Sequence, residues 1–202
     1  MRLLIKFALV GTRLFLGLIF FTSGMGKLTH GDFPGLIGPV WLEERLAPYG
    51  LGLWVQFVAW SQVTIGLLLL SQRFATLGAI MLLPMIANIF VVTVSLQWQG
   101  TPFVNAFLIA LNLFLLICDY HKIKFLFVDE KHELNQTRLP RSYPQIDFLW
   151  FLGFLICLTG GAVHSFSRWL TFGLAALGIS LFLACAVWQI LADRKASNLL
   201  KI

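Results

Sequence analysis

Two cations and three glycines interrupt the apolar run at residues 13–27, RLFLGLIFFTSGMGK. At about 100° per residue, Arg13, Gly17, Phe20, Gly24 and Lys27 fall on one helical face, and the remaining Leu, Ile and Phe suit lipid or packed neighbours. An isolated cation in hydrocarbon costs roughly 3 kcal/mol on insertion scales. That cost favours an inward stripe whose cations are paired or hydrated. The competing description has Arg13 snorkelling to the near headgroups and Lys27 marking the far end of the span. Amides recur in later apolar runs: Gln62 lies one helical turn before Gly66, and Asn88 one turn after Pro84. Asn105, Asn112 and Asp119 repeat every seven residues, a step that advances a helix face by only about 20°, so they form one polar stripe. A cation and amides facing a common cleft could donate hydrogen bonds to the carbonyl oxygens of a bound molecule. Used only as glue between helices, each amide would contribute about 0.6 kcal/mol. Asp119, at the boundary with Tyr120 and His121, is either solvated or balances a cation, for which Arg13 is the partner in reach.

The elements that must hold these groups are transmembrane helices. Of the 202 residues, 58% are hydrophobic and 12% charged, against about 25% charged in soluble domains. The +6 charge is concentrated in loops, which signals membrane orientation rather than nucleic-acid binding. Apolar segments of spanning length, about 20 residues, occur at 6–28, 50–71, 74–97, 102–119, 147–166 and 168–192. The first resembles a signal peptide only briefly, since Arg13 interrupts it and no clear A-x-A site follows, so a retained helix is expected. With both termini inside, the cytoplasmic side collects eleven Lys and Arg, and the outer side Lys27, Arg45 and Arg168. That asymmetry predicts an all-α, six-helix protein of the cell (cytoplasmic) membrane with cytoplasmic termini.

Between the first two spans, Trp41, Leu42 and Leu46 opposite Glu43, Glu44 and Arg45 predict a short interfacial helix stopped by Pro48 and Gly50. It could serve as a flap over an opening between helices, or simply as an anchor. The expected organisation is a four-helix domain over 1–128, a cytoplasmic loop over 129–146 and a C-terminal hairpin with tail over 147–202. Small residues at Gly173, Ala176, Ser180 and Ala184 give the last helix one face that permits tight packing. Cys118, Cys157 and Cys185 lack C-x-x-C spacing and read as small buried hydrophobes. His121, His132 and nearby carboxylates lack metal-ligand spacing, so no metal is predicted, and the N-Q-T triplet at Asn135 falls in a cytoplasmic loop. No phosphate-binding loop, dinucleotide fingerprint or paired catalytic carboxylates occur.

The helix-one pattern, together with SQVTIGLLLLSQRFATLGAIML across helices two and three, resembles the DoxX family of small membrane proteins over roughly residues 6–128. The resemblance implies a four-helix membrane bundle, with the C-terminal hairpin lying outside it. Some relatives are subunits of quinone-linked oxidoreductases, including thiosulfate:quinone oxidoreduction. Arg13, Gly17, Gly24 and Lys27 match the family's first-helix residues. At Gln62 relatives commonly have a glutamate, so this chain lacks an ionisable group there.

Two functions follow as expectations. In the first, the chain is the membrane subunit of a quinone-linked redox system, with Arg13, Gly17, Gly24, Lys27, Gln62 and Asn112 around an inward cleft. A quinone, or a redox partner subunit, must then carry the electrons, because side chains supply no such carrier. In the second, it is a non-catalytic scaffold or assembly factor whose polar stripes only hold helices together. Either accommodates lipid as the main partner and a homo-oligomer, and neither involves nucleic acid.

Overall fold

A computed structural model describes residues 2–38, 41–124 and 144–199. Eight α-helices order the described residues: α1 (Arg2–Leu28), α2 (Leu42–Leu46), α3 (Gly52–Leu70), α4 (Ala75–Ser95), α5 (Thr101–Cys118), α6 (Tyr120–Ile123), α7 (Pro144–Ala162) and α8 (Arg168–Leu199). Six of them contain stretches long and apolar enough to cross a membrane: Leu4–Leu28, Gly52–Leu70, Ala75–Ser95, Thr101–Cys118, Pro144–Ala162 and Arg168–Gln189. The chain divides into two compact units, Met1–His132 and Glu133–Ile202. The segment 125–143, with His132 and the Asn135 triplet, lies outside the described residues.

In the first unit α1 packs on α3, α3 on α4, α4 on α5, and α5 returns to α1, which closes a four-helix ring. Leu16, Ile19 and Phe20 of α1, Ile65 and Leu69 of α3, Leu82 and Ile86 of α4, and Leu108 and Leu115 of α5 form its interior. The α1–α3 seam is the tightest because glycines remove the side chains that would hold the helices apart. A Cβ on Gly66 would stand 2.5 Å from the Phe21 backbone nitrogen, and one on Gly24 would stand 2.6 Å from the Ala59 carbonyl oxygen.

Helix α1 stops in a left-handed turn at His30 (φ 49°) and Gly31 (φ 95°), where the Gly31 N–H closes on the Gly26 carbonyl at 2.8 Å. Thr29 fastens the exit: its hydroxyl donates to the Met25 carbonyl at 2.8 Å and accepts from the Phe33 N–H at 2.9 Å. The chain therefore turns back over the end of α1, and the interfacial helix expected from the sequence follows as α2. Leu42 and Leu46 of α2 are buried with Val55, while Trp41 meets Trp98 at 5.5 Å between ring centroids.

The second unit is the α7–α8 hairpin, turned through a 3₁₀ segment at Val163–Ser165. Gly153 abuts Leu181 and the Gly178 carbonyl, Gly160 abuts Leu174, and Trp150 stacks on Phe154 and Phe182 at 5.5 and 5.4 Å. Cys157 and Cys185 are buried thiols outside any disulfide, their Sγ atoms donating weakly to the Ala175 and Ile146 carbonyls at 3.9 and 3.8 Å.

Candidate functional site: a cavity beneath an interfacial helix

Lys27 lies in the last turn of α1 and is buried, with 8% of its surface exposed. An ammonium has three protons to place, and three acceptors surround it: Ser23 Oγ at 2.7 Å, Gln62 Oε1 at 3.0 Å and the Ser23 carbonyl at 3.2 Å. Ser23 Oγ also stands 3.4 Å from Gln62 Oε1 as a hydroxyl donor. Gly38, at φ 107°, carries the returning loop across this cluster, and a Cβ there would stand 2.8 Å from Ser23 Oγ and 3.2 Å from Lys27 Nζ. Only a glycine backbone can approach so closely in that conformation.

This cluster forms part of the wall of a cavity of about 230 Å³ inside the ring. Helices α4 and α5 supply a second polar pair, in which Asn105 Nδ2 donates to Thr93 Oγ1 at 3.3 Å and Thr93 passes its own proton to the Phe90 carbonyl at 2.9 Å. Between the two clusters the lining is apolar, with Phe20, Trp54, Val58, Ile89 and Leu108, and Leu42 of α2 contributes to it. The cavity is therefore an apolar slot with hydrogen-bonding groups from the α1–α3 pair and from the α4–α5 pair.

The remaining groups of the sequence stripe lie elsewhere. Arg13 Nη2 donates to Asp119 Oδ2 at 2.5 Å, with side-chain exposures of 9% and 4%. Thr76 Oγ1 donates to the same oxygen at 2.8 Å, and Lys122 Nζ to Asp119 Oδ1 at 3.0 Å. Burial acts to raise the Asp119 carboxyl, but the hydrogen bonds from Lys122 and Thr76 and the nearby charges of Arg13 and Lys122 outweigh it and hold the group below its ordinary value. Arg13 thus meets its carboxylate inside the protein, in the pairing the sequence spacing allowed, and does not snorkel. Asn112 is fully buried between Asn105 and Asp119; its Nδ2 donates to the Ala79 carbonyl at 3.0 Å, and its Oδ1 has no partner among the described residues. Gly17 faces Leu70, and Gly24 faces Ala59 and Val63.

Of the six residues singled out from the sequence, Lys27 and Gln62 come together in the cavity wall. Arg13 belongs to the Asp119 cluster, Gly17 and Gly24 to the α1–α3 seam, and Asn112 to the α4–α5 contact. Ser23, Thr93 and Thr76 escaped sequence reasoning. Ser23 stands one turn before Lys27, a spacing that places its hydroxyl within reach of the ammonium.

A ring of spanning helices with buried polar clusters defines a polytopic, all-helical membrane protein. Three of its spanning helices, α1, α3 and α4, carry a particular signature: residues 8–95 match the DoxX family model. The match ends with α4, so it is narrower than the 6–128 resemblance and leaves out α5, which closes the ring. No curated protein and no solved structure matches the chain.

Proposed function

We propose that this protein is the membrane subunit of a quinone-linked redox system of the cell (cytoplasmic) membrane, with both termini cytoplasmic, and that the cavity beneath α2 receives one quinone ring. The observation that carries this reading is the arrangement of two separate polar clusters around one apolar slot, Lys27–Ser23–Gln62 and Asn105–Thr93. A quinone presents two carbonyl oxygens on a flat apolar ring, and groups of that kind match it. At about 230 Å³ the cavity is smaller than the roughly 300 Å³ at which pockets for drug-sized ligands begin, so it suits a single ring.

A bound quinone would supply the electron-accepting chemistry that side chains lack. Lys27 Nζ and the Ser23 hydroxyl would orient one carbonyl, the second proton on Asn105 Nδ2 would address the other, and Phe20, Trp54 and Leu108 would exclude water from the ring. Arg13, Gly17, Gly24 and Asn112 would act behind this wall by fixing where α1 and α5 stand. Electrons would pass between the quinone and a partner subunit docked on the membrane protein.

One observation favours the scaffold reading instead: Lys27 already has three internal acceptors and needs no ligand to satisfy it. Titration of purified protein in native-like lipid with menaquinone and ubiquinone analogues separates the two. The quinone reading expects saturable binding that weakens about 5- to 100-fold in Lys27→Met and Asn105→Leu, the range for hydrogen bonds worth about 1–3 kcal/mol. Arg13→Gln and Asn112→Leu should lower stability before they lower affinity. No binding of any quinone by the unmodified protein would leave the scaffold in front.

A further inference from the structure

A second cavity, of about 320 Å³, runs along the seam between α3 and α4. Its lining follows helical spacing on both sides: Trp54, Val58, Ser61 and Ile65 on α3, and Met81, Met85 and Asn88 on α4. From Trp54 to Ile65 the groove extends about 16 Å at 1.5 Å per residue. Trp54 and Val58 line both this groove and the cavity beneath α2, so these two side chains form a wall shared by the two spaces. The wall is latched across the seam, because Trp54 Nε1 donates to Asn88 Oδ1 at 3.2 Å.

The seams on the two sides of α3 differ in how firmly they are closed. On the α1 side, backbones touch at Gly24 and Gly66. On the α4 side, close approach occurs at the cytoplasmic-loop end, where a Cβ on Gly78 would stand 3.1 Å from Leu68 and Leu69 side-chain atoms. Beyond it the helices are separated by the groove, and Pro84 removes one backbone hydrogen bond from α4 there. The α3–α4 seam is therefore the looser of the two beside the groove, and Trp54 stands at it.

We propose that the ligand of this protein is an amphiphile whose single polar ring sits beneath α2 and whose apolar chain lies in the α3–α4 groove, with access from the lipid past Trp54 once its bond to Asn88 opens. The head-group half rests on the quinone reading; the chain half rests on the groove alone. Met81 and Met85 suit a flexible chain, since unbranched thioether side chains adapt to irregular apolar shapes.

The test uses full-length protein in lipid nanodiscs and two probes. A tail-less benzoquinone and its decyl derivative are titrated against the unmodified protein, against Ser61→Phe, and against Met81→Trp as a second way to fill the groove. The decyl compound should bind at least tenfold more tightly to the unmodified protein, and either filling variant that folds should collapse that ratio toward one. Asn88→Leu should speed both association and dissociation of the decyl compound severalfold. In parallel, lipids brominated on the acyl chain should quench the fluorescence component lost in Trp54→Phe, and filling the groove should relieve that quenching. If the chain confers no advantage and groove filling leaves the quenching in place, the proposal is overturned. If neither quinone binds yet quenching behaves as described, the chain site stands and the quinone reading falls.

Discussion

Arg13 and Asp119, 106 residues apart in the chain, meet at 2.5 Å inside the first unit and join the start of the ring to its end. The carboxylate also accepts hydrogen bonds from Thr76 on α4 and Lys122 on α6. One aspartate thus ties three helices, α1, α4 and α6, to the end of α5. Breaking a buried pair from one side strands the other charge, a loss of about 3 kcal/mol or more, whereas neutralising both is far milder. Arg13→Met and Asp119→Asn should each lower thermal stability in a common detergent, and the double variant should recover about 1–3 kcal/mol relative to their sum. Additive losses would show that the pair is not coupled.

The same aspartate sets an acid limit. It lies one residue beyond the α5 span, and its carboxyl is held below the ordinary value of 3.8 despite burial, through Lys122, Thr76 and Arg13. The folded protein therefore holds that proton more weakly than the unfolded chain does. The resulting stabilisation is fully present above pH 3.8 and drains away as the pH falls below it through the folded value. Thermal unfolding followed from pH 7 to pH 3 should show an acid-side decline that is smaller in Asp119→Asn. An identical decline in the variant would assign the acid sensitivity to other groups.

Glycine substitutions should sort by seam. Gly66→Ala drives a methyl group into the Phe21 backbone and should cost about 1–3 kcal/mol by overpacking. Gly11 has nothing within 4 Å, so Gly11→Ala should be neutral or stabilise α1 by up to about 1 kcal/mol. Equal effects at the two positions, measured by thermal unfolding, would contradict the close α1–α3 contact.

Orientation follows from the Lys and Arg asymmetry between loops. Reporter fusions after Gln145 and after Ile202 should both be active only with a cytoplasmic reporter. A reporter active outside the cell at either junction would reverse or break the six-span topology.

The chain's spans were legible because lipid demands long apolar segments with satisfied backbones, and six such segments stand out. The Arg13–Asp119 pairing was only one of two readings open, since the seven-residue repeat of α5 leads to a carboxylate at the right depth but at a boundary where water could equally solvate it. The face of α1 was harder to resolve. Relative to Arg13, Gly17 and Gly24 lie about 40° and 20° to one side, and Phe20 and Lys27 about 20° and 40° to the other. A stripe that looks single from periodicity therefore divides, because α1 is packed against both α3 and α5. Its glycine edge abuts α3, and its Phe20–Lys27 edge reaches the cavity. Periodicity gives angles within one helix, but it does not say which neighbour stands at each angle. For the same reason nothing in the sequence marked Asn112 for the Ala79 carbonyl, or Trp54 as a wall between two spaces.

Lys27 lies in the last turn of α1 and Arg13 near its middle, separated by about 21 Å of helix at 1.5 Å per residue. Between them Leu16, Ile19 and Phe20 meet Ile65, Leu82, Ile86 and Leu108 in a close-packed layer. In electrical terms that layer is an insulator: two buried cations stand on either side of a dielectric built of aliphatic and aromatic side chains.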